Sequence, residues 1–145
     1  MSEKEIKKFT RDFLETWNKG KAAAMAAIDK TNAPDVVFHL GIGRETHGLE
    51  ELKQYMSGLF DAVPDLHVTI EDMIAEGDKV ASRYTMTGTQ KGEFNGIPPT
   101  NKKATFWLLE IDHVVNGKFV EGWVRFDTLD FMRQLGLIPM PKKGS

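Results

Sequence analysis

Residues 103–127 read KATFWLLEIDHVV, then NG, then KFVEGWVRFD, and this stretch decides the fold. Its two long runs are rich in Val, Ile, Phe, Trp and Thr, residues that suit a pleated strand. Between them stands Asn116-Gly117, the strongest short signal for a tight β-hairpin turn. We therefore predict a hairpin at the centre of a sheet, with one face covered by apolar side chains.

The chain around this hairpin carries four helical patterns. Residues 3–19 hold one apolar stripe, which Gly20 ends, and residues 21–29 are rich in helix-forming Ala. A third amphipathic helix is predicted over 49–63, and a short one over 128–136. Together these helices provide an apolar cover for one face of the sheet.

Strand patterns fill most of the remaining chain. We predict a short strand over 36–40, followed by a loop over 41–48. Two further strands, over 66–74 and 79–90, join at a turn, and residues 91–102 form a Gly- and Pro-rich loop before the hairpin. Consecutive strands linked by tight turns indicate an antiparallel sheet with helices on one side, an α+β fold.

The composition narrows the possible functions. The chain has 145 residues and no Cys, which predicts one domain over 1–138 without disulfides, and a flexible tail over 139–145. The net charge of −2 and the absence of a basic stripe argue against nucleic-acid binding. No apolar run is long enough to span a membrane, and the charged start lacks a signal-peptide pattern, so we expect a cytoplasmic protein. The scattered His residues predict no metal site.

Several motifs resemble the SnoaL-like polyketide cyclase and ester cyclase family. They are Trp17-Asn18-Lys19-Gly20, the segment 60–81, Thr87-Gly88-Thr89, Gly92-Glu93-Phe94, the segment 96–100, Asn116-Gly117-Lys118 and the segment 133–136. The resemblance implies a cone-shaped, curved sheet that encloses an apolar cavity with its helices, as in the nuclear-transport-factor-like superfamily. It also implies a small apolar ligand and a homodimer formed through the outer sheet face. Because this fold hosts many activities, the function has to come from the site.

The resemblance also implies a chemistry. Polyketide cyclases of this family use an Asp on the last strand as acid and base in an intramolecular aldol closure, without metal or organic cofactor. Aligned through the turn at 116–118, that Asp falls on Val124, and a cavity His falls on Glu110. Val124 cannot accept a proton, so Glu110 is the candidate base. A bulged hairpin turn would place it across from Val124 on the cavity face; alternatively, Glu110 faces outward and pairs with a cation.

Three further polar residues are candidates, each with an alternative. His39 lies where the family reaches the cavity mouth and could orient a carbonyl or move a proton; otherwise it is a hydrogen-bonded rim or core residue. Asp127 could serve the cavity or cap the last helix. Arg83 could bind an anionic or carbonyl group, or pair with Glu71 or Asp72.

Large side chains complete the predicted binding site. We expect Trp17, Phe60, Phe106, Trp123 and Val124 to line the ligand. The loop with Ile97-Pro98-Pro99 would rim the entrance. Aromatic residues at such positions are normally core, and in this fold part of the core is cavity wall.

The favoured function is a small, cofactor-free cyclase or isomerase that acts on an apolar, polyketide-like carbonyl compound by acid/base chemistry. The loss of the expected acid at Val124 leaves a binding protein without catalysis, or a redesigned variant of this scaffold, as alternatives. A structural dimer with a closed core is the remaining possibility. The cavity volume distinguishes it from the other functions, because a closed core has no room for a ligand.

Overall fold

The computed structural model describes residues 1–139 and shows an α+β fold. Its elements, in chain order, are α1 (Glu3–Glu15), a 3₁₀ turn (Thr16–Lys19), α2 (Lys21–Thr31), β1 (Asn32–Gly41), β2 (Arg44–His47), α3 (Gly48–Ala62), β3 (His67–Glu76), β4 (Lys79–Thr89), β5 (Lys103–Val115), β6 (Lys118–Phe126) and α4 (Thr128–Gln134). The sheet is curved and unclosed, with the order β2-β1-β6-β5-β4-β3. All predicted helices are present, and the predicted tail lies outside the described residues except for residue 139.

The organising hairpin forms as predicted at the middle of the sheet. β5 and β6 pair antiparallel, and Val115 pairs with Lys118 around the turn. Asn116 and Gly117 both have positive φ, 52° and 72°, which a type I′ turn requires.

Two features of the sheet differ from the prediction. β1 pairs with β6 in parallel, whereas the other strand pairs are antiparallel. A tight turn between two strands predicts that they run antiparallel. Because β1 and β6 are far apart in the chain, no turn predicts their relative direction. The predicted loop over 41–48 also contains β2, which turns back onto β1 through residues with positive φ, Gly41, Ile42 and Gly43.

The helices cover one sheet face, which we call the inner face. Side chains of α1, α2 and α3 pack there against alternate residues of the strands; the buried members include Ile6, Phe13, Ile28, Met56, Val80 and Phe119. Strand alternation sends the neighbouring residues to the opposite, outer face. Trp107, Leu109 and Ile111 of β5 lie there and are about half exposed (52, 50 and 46%).

Within residues 1–139, no helix has the length and apolar character needed to cross a bilayer.

Candidate functional site

Glu110 lies on the inner face of the sheet. β5 alternates strictly along this stretch, so Leu108, Glu110 and Asp112 point inward while Leu109 and Ile111 point outward. The Glu110 side chain is only 6% exposed. The alternative placement, outward and paired with a cation, is therefore wrong.

The hairpin bulge sets the partners of Glu110. The register of β5 and β6 shifts between His113 and Val114, and Glu110 then pairs directly with Val124. On its other side Glu110 pairs with Ser82 of β4. The predicted position of Glu110 across from Val124 is confirmed, and both residues line the same cavity.

Tyr84 is the direct hydrogen-bond partner of Glu110. Its Oη donates to Oε1 of Glu110 over 2.6 Å. Burial, followed by the charge of Glu110, raises the pKa of the Tyr84 phenol well above its ordinary value. Tyr84 therefore keeps its proton and remains a donor. The sequence pattern identified Tyr84 only as an apolar position in a strand. Its spacing from Val80 and Met86 nevertheless places it on the inner face.

Asp112 is a second buried carboxyl group on the same strand face. It is 1% exposed, and neither of its oxygens accepts a hydrogen bond from a donor group within the described residues. Burial, and then the neighbouring Glu110, raise the pKa of Asp112 well above its ordinary range. The alternation of β5 after Glu110 was the signal that could have identified it.

A cavity of about 80 Å³ lies between the helices and the inner sheet face. Apolar side chains from α1, α2, α3, α4 and the strands form most of its wall, including Phe13, Phe38, Leu52, Met56, Met86 and Leu108. Among the predicted binding residues, Trp17, Phe106 and Val124 line it, as does Glu110. Trp17 is 7% exposed, and its Nε1 has no hydrogen-bond partner in residues 1–139.

Two partly exposed aromatic residues, one from α3 and one from the loop over 91–102, belong to the cavity wall. Tyr55 and Phe94 line the cavity, and their ring centroids are 6.1 Å apart. The Arg44 guanidinium stands 4.9 Å from the centroid of the Tyr55 ring. Gln90 anchors the loop, because its side-chain amide donates to the carbonyls of 92, 97 and 98 while its Oε1 accepts from Thr100.

His39 and Trp123 lie on the outer face, so their predicted place in the cavity wall is wrong. Inward residues of β1 are Phe38 and Leu40, and alternation turns His39 away from the cavity. Its ring stacks on Trp123 with centroids 5.4 Å apart, and its Nε2 lies 2.7 Å from Glu121. Its Nδ1 contacts Glu45. These carboxylates, Glu121 first, raise the pKa of His39.

Arg83 also points outward, contrary to its predicted role in binding. Its Nε and Nη2 donate to Oδ2 of Asp72 over 2.9 and 2.5 Å, which is the ion pair that the sequence left open. Asp127 caps α4, since its Oδ1 accepts from the backbone N–H of Asp130 over 2.9 Å. Neither residue lines the cavity.

Phe60 stands behind the cavity wall rather than in it. It is 5% exposed and meets Trp17 edge-on, with ring centroids 6.5 Å apart. His113 pairs with Asp78 at the end of the β3–β4 hairpin, a structural role. Across residues 1–139, no group of three or more His, Asp and Glu side chains is arranged so that it could bind a metal ion.

Comparison with known proteins identifies relatives of this fold and site. The model of the SnoaL-like polyketide cyclase family matches residues 7–135. AclR from Streptomyces galilaeus, described as a candidate hydroxylase, is 31% identical, with a TM-score of 0.84 over 98% of this chain and 91% of its own. IdmH from Streptomyces antibioticus, described as a candidate polyketide cyclase, is 27% identical, with a TM-score of 0.73 over 90% of this chain and 98% of its own.

A SnoaL-like protein from Jannaschia sp. CCS1 shares the fold at 22% identity, with a TM-score of 0.85 over 94% of this chain and 95% of its own. No curated protein matches the sequence significantly. The family match spans nearly all of the described residues and includes every strand of the sheet. It confirms the resemblance seen in the sequence motifs: the chain belongs to the SnoaL-like polyketide cyclase family.

Proposed function

We propose that this protein is a cofactor-free enzyme of the cyclase or isomerase type, which acts on a small apolar carbonyl compound with Glu110 as general base. The observation that carries the proposal is the position of Glu110, whose carboxyl group lines a mainly apolar cavity and is held by Tyr84 over 2.6 Å. A carboxylate in such surroundings is suited to remove a proton next to a carbonyl group.

Trp17 supplies the second part of the proposed site. Removing the proton leaves an enolate, whose oxygen needs a hydrogen-bond donor. The Trp17 Nε1–H is buried without a partner in the described residues, and Trp17 lines the cavity. A buried donor without an acceptor costs about 1–3 kcal/mol, so a ligand oxygen placed there recovers this energy. We assign the carbonyl oxygen of the substrate to Trp17.

The cavity volume bears on the size of the substrate. At about 80 Å³ the cavity is smaller than ligand pockets, which usually hold about 300–1,000 Å³. A polyketide-like compound therefore requires the wall to open, and we propose that it opens at Tyr55 and Phe94, two partly exposed residues of the wall. Smaller ketones need less opening and make better first probes.

Exchange of the hydrogens beside a carbonyl tests the base directly. We would incubate the protein in D₂O with apolar ketones of increasing size, from cyclopentanone to 2-tetralone, and follow deuterium uptake by NMR. Glu110→Gln should slow catalysed exchange by about 10²–10⁴-fold and keep the fold, since it removes only the proton acceptor. The exposed Glu76→Gln is the control and should exchange at the wild-type rate.

The second candidate function is binding without catalysis, and Val124 favours it because the family resemblance places the catalytic acid at this position. In that case Glu110→Gln should bind apolar ketones as well as the wild type or better, because a buried charge has been removed. Wild-type exchange no faster than that of Glu110→Gln, together with ketone binding by both, would establish the binding function and rule out the enzyme.

A further inference from the structure

Asp112 is a buried acid that the proposed reaction does not use. It lies two residues after Glu110 on the same face of β5, so the two carboxyl groups are neighbours on the inner face of the sheet. Asp112 does not line the cavity, whereas Glu110 does. With 1% exposure and no donor group that bonds to either oxygen in residues 1–139, Asp112 is more enclosed than Glu110.

Within residues 1–139, no positively charged side chain pairs with Asp112. Val80 of β4 and Gly122 of β6 pair with it on either side, and the ring of Phe38 stands over Gly122. The titratable groups that face it are Glu110 on its own strand and Tyr84 on β4, both acids. Within the described residues, no Lys, Arg or His forms an ion pair with Glu110 or Asp112.

Glu110 and Asp112 cannot both be ionised in this buried environment. Burial disfavours each charge, and the second charge adds repulsion to the first, so one group keeps its proton. The Tyr84 hydroxyl donates to Glu110 and favours the charge there, whereas Asp112 receives no donor. Burial and the charge of Glu110 both raise the pKa of Asp112, which agrees with a neutral Asp112.

We propose that Asp112 is a positioning residue that holds a proton in the resting protein and donates it as a hydrogen bond to Glu110, so that the single negative charge of the pair stays on the cavity-facing group. This assignment rests on the proposed function for its role in turnover. In that role, Glu110 takes the proton beside the substrate carbonyl and becomes neutral, the charge passes to the substrate oxygen, and Asp112 keeps its proton throughout. Glu110 then returns its proton to the product.

The protonation state is measurable without any substrate. Aspartate labelled with ¹³C at the side-chain carboxyl reports each Asp by NMR, because a neutral acid and a carboxylate have different shifts. At neutral pH, one Asp signal of the wild type should have the shift of a neutral acid, and Asp112→Asn should remove that signal. Asp65→Asn is the matched control: Asp65 is exposed, accepts from the Thr89 backbone, has a lowered pKa, and should leave the neutral-acid signal in place.

Two results would overturn the assignment. If all Asp signals have carboxylate shifts at neutral pH, Asp112 is ionised. If ¹³C-labelled glutamate instead gives the neutral-acid signal, the proton is on Glu110. Both measurements use the folded wild type, so they remain decisive even if Asp112→Asn does not fold or no ketone is turned over.

Proton exchange of the ketones supplies the functional test. Asp112→Asn keeps the size of the side chain but offers a weaker, neutral N–H donor that cannot titrate. We expect the acidic limb of the pH–rate profile to move to higher pH, with a maximal rate within about tenfold of the wild type, well above that of Glu110→Gln. An unchanged profile would show that Asp112 has only a packing role.

Discussion

The hydroxyl of Tyr84 donates a hydrogen bond of 2.6 Å to the carboxyl group of Glu110, and this bond joins neighbouring strands at the back of the cavity. Tyr84 is 1% exposed, so water does not compete for its hydroxyl. The bond gives Glu110 a fixed orientation.

Tyr84→Phe should destabilise the protein by removing this bond. Hydrogen bonds to charged groups contribute about 1.5–3 kcal/mol, and we expect the free energy of unfolding in urea to fall by that amount. Tyr55→Phe is the matched control, since Tyr55 also lines the cavity but its hydroxyl makes no hydrogen bond to Glu110. If the two variants lose the same free energy of unfolding, the Tyr84–Glu110 hydrogen bond makes no particular contribution to stability.

Gly122→Ala should also destabilise the fold, for a steric reason. A Cβ at Gly122 would clash with the ring of Phe38 and would lie 2.7 Å from Oδ1 of Asp112. Overpacking of this kind costs about 1–3 kcal/mol. Gly58→Ala, in an open position of α3, should instead stabilise the protein by about 0.5–1 kcal/mol, because Ala suits a helix better than Gly. Thermal unfolding of both variants checks the prediction: the melting temperature should fall for Gly122→Ala and rise for Gly58→Ala.

The outer sheet face should form a homodimer. Trp107, Leu109 and Ile111 are about half exposed and adjacent on this face of β5, an apolar patch that association would bury. Sedimentation at micromolar concentration should show a dimer for the wild type and a monomer for Leu109→Glu. Leu129→Glu, equally exposed at 52% but on α4, should remain a dimer. A wild type that sediments only as a monomer would contradict this prediction.

His39 should make stability depend on pH. Glu121 and Glu45 raise its pKa in the folded protein, so folding favours the protonated ring. This contribution is fully present below the ordinary His pKa of about 6.5 and is lost as pH rises through the raised value of the folded state. The stability difference between the wild type and His39→Asn should therefore shrink as pH rises above about 6.5. The exposed His67→Asn serves as control, and a difference that does not change with pH would contradict the prediction.

The sequence predicted the elements well where local chemistry determines them. Gly20 has φ of 101° at the end of the 3₁₀ turn, and the Asn-Gly pair forms the two-residue turn that pairs Val115 with Lys118. Asp127 caps α4, one of its two predicted alternatives. In each case one or two residues with a strong conformational preference determine the outcome.

Predictions failed where long-range pairing decides which way a side chain points. The family resemblance predicted His39 at the cavity, and residue type predicted Arg83 and Trp123 there. Each lies one position out of phase with the inward residues of its strand. Conversely, strand alternation places Tyr84 and Asp112 on the inner face with Glu110, but the hydrogen bond from Tyr84 to Glu110 follows only from the packed sheet. A polar side chain in a strand shows its chemistry in the sequence, but not its face.

The parallel pairing of β1 with β6 has a consequence for the synthesis of the chain. Phe38 pairs with Gly122, so β1 and β2 have no strand to join on the other side of β1 until the last hairpin has left the ribosome. Until then α1, α2 and α3 present their apolar sides to an incomplete layer. We expect nascent chains that end before Lys118 to remain unfolded and to bind chaperones, and the protein to fold only after translation is nearly complete.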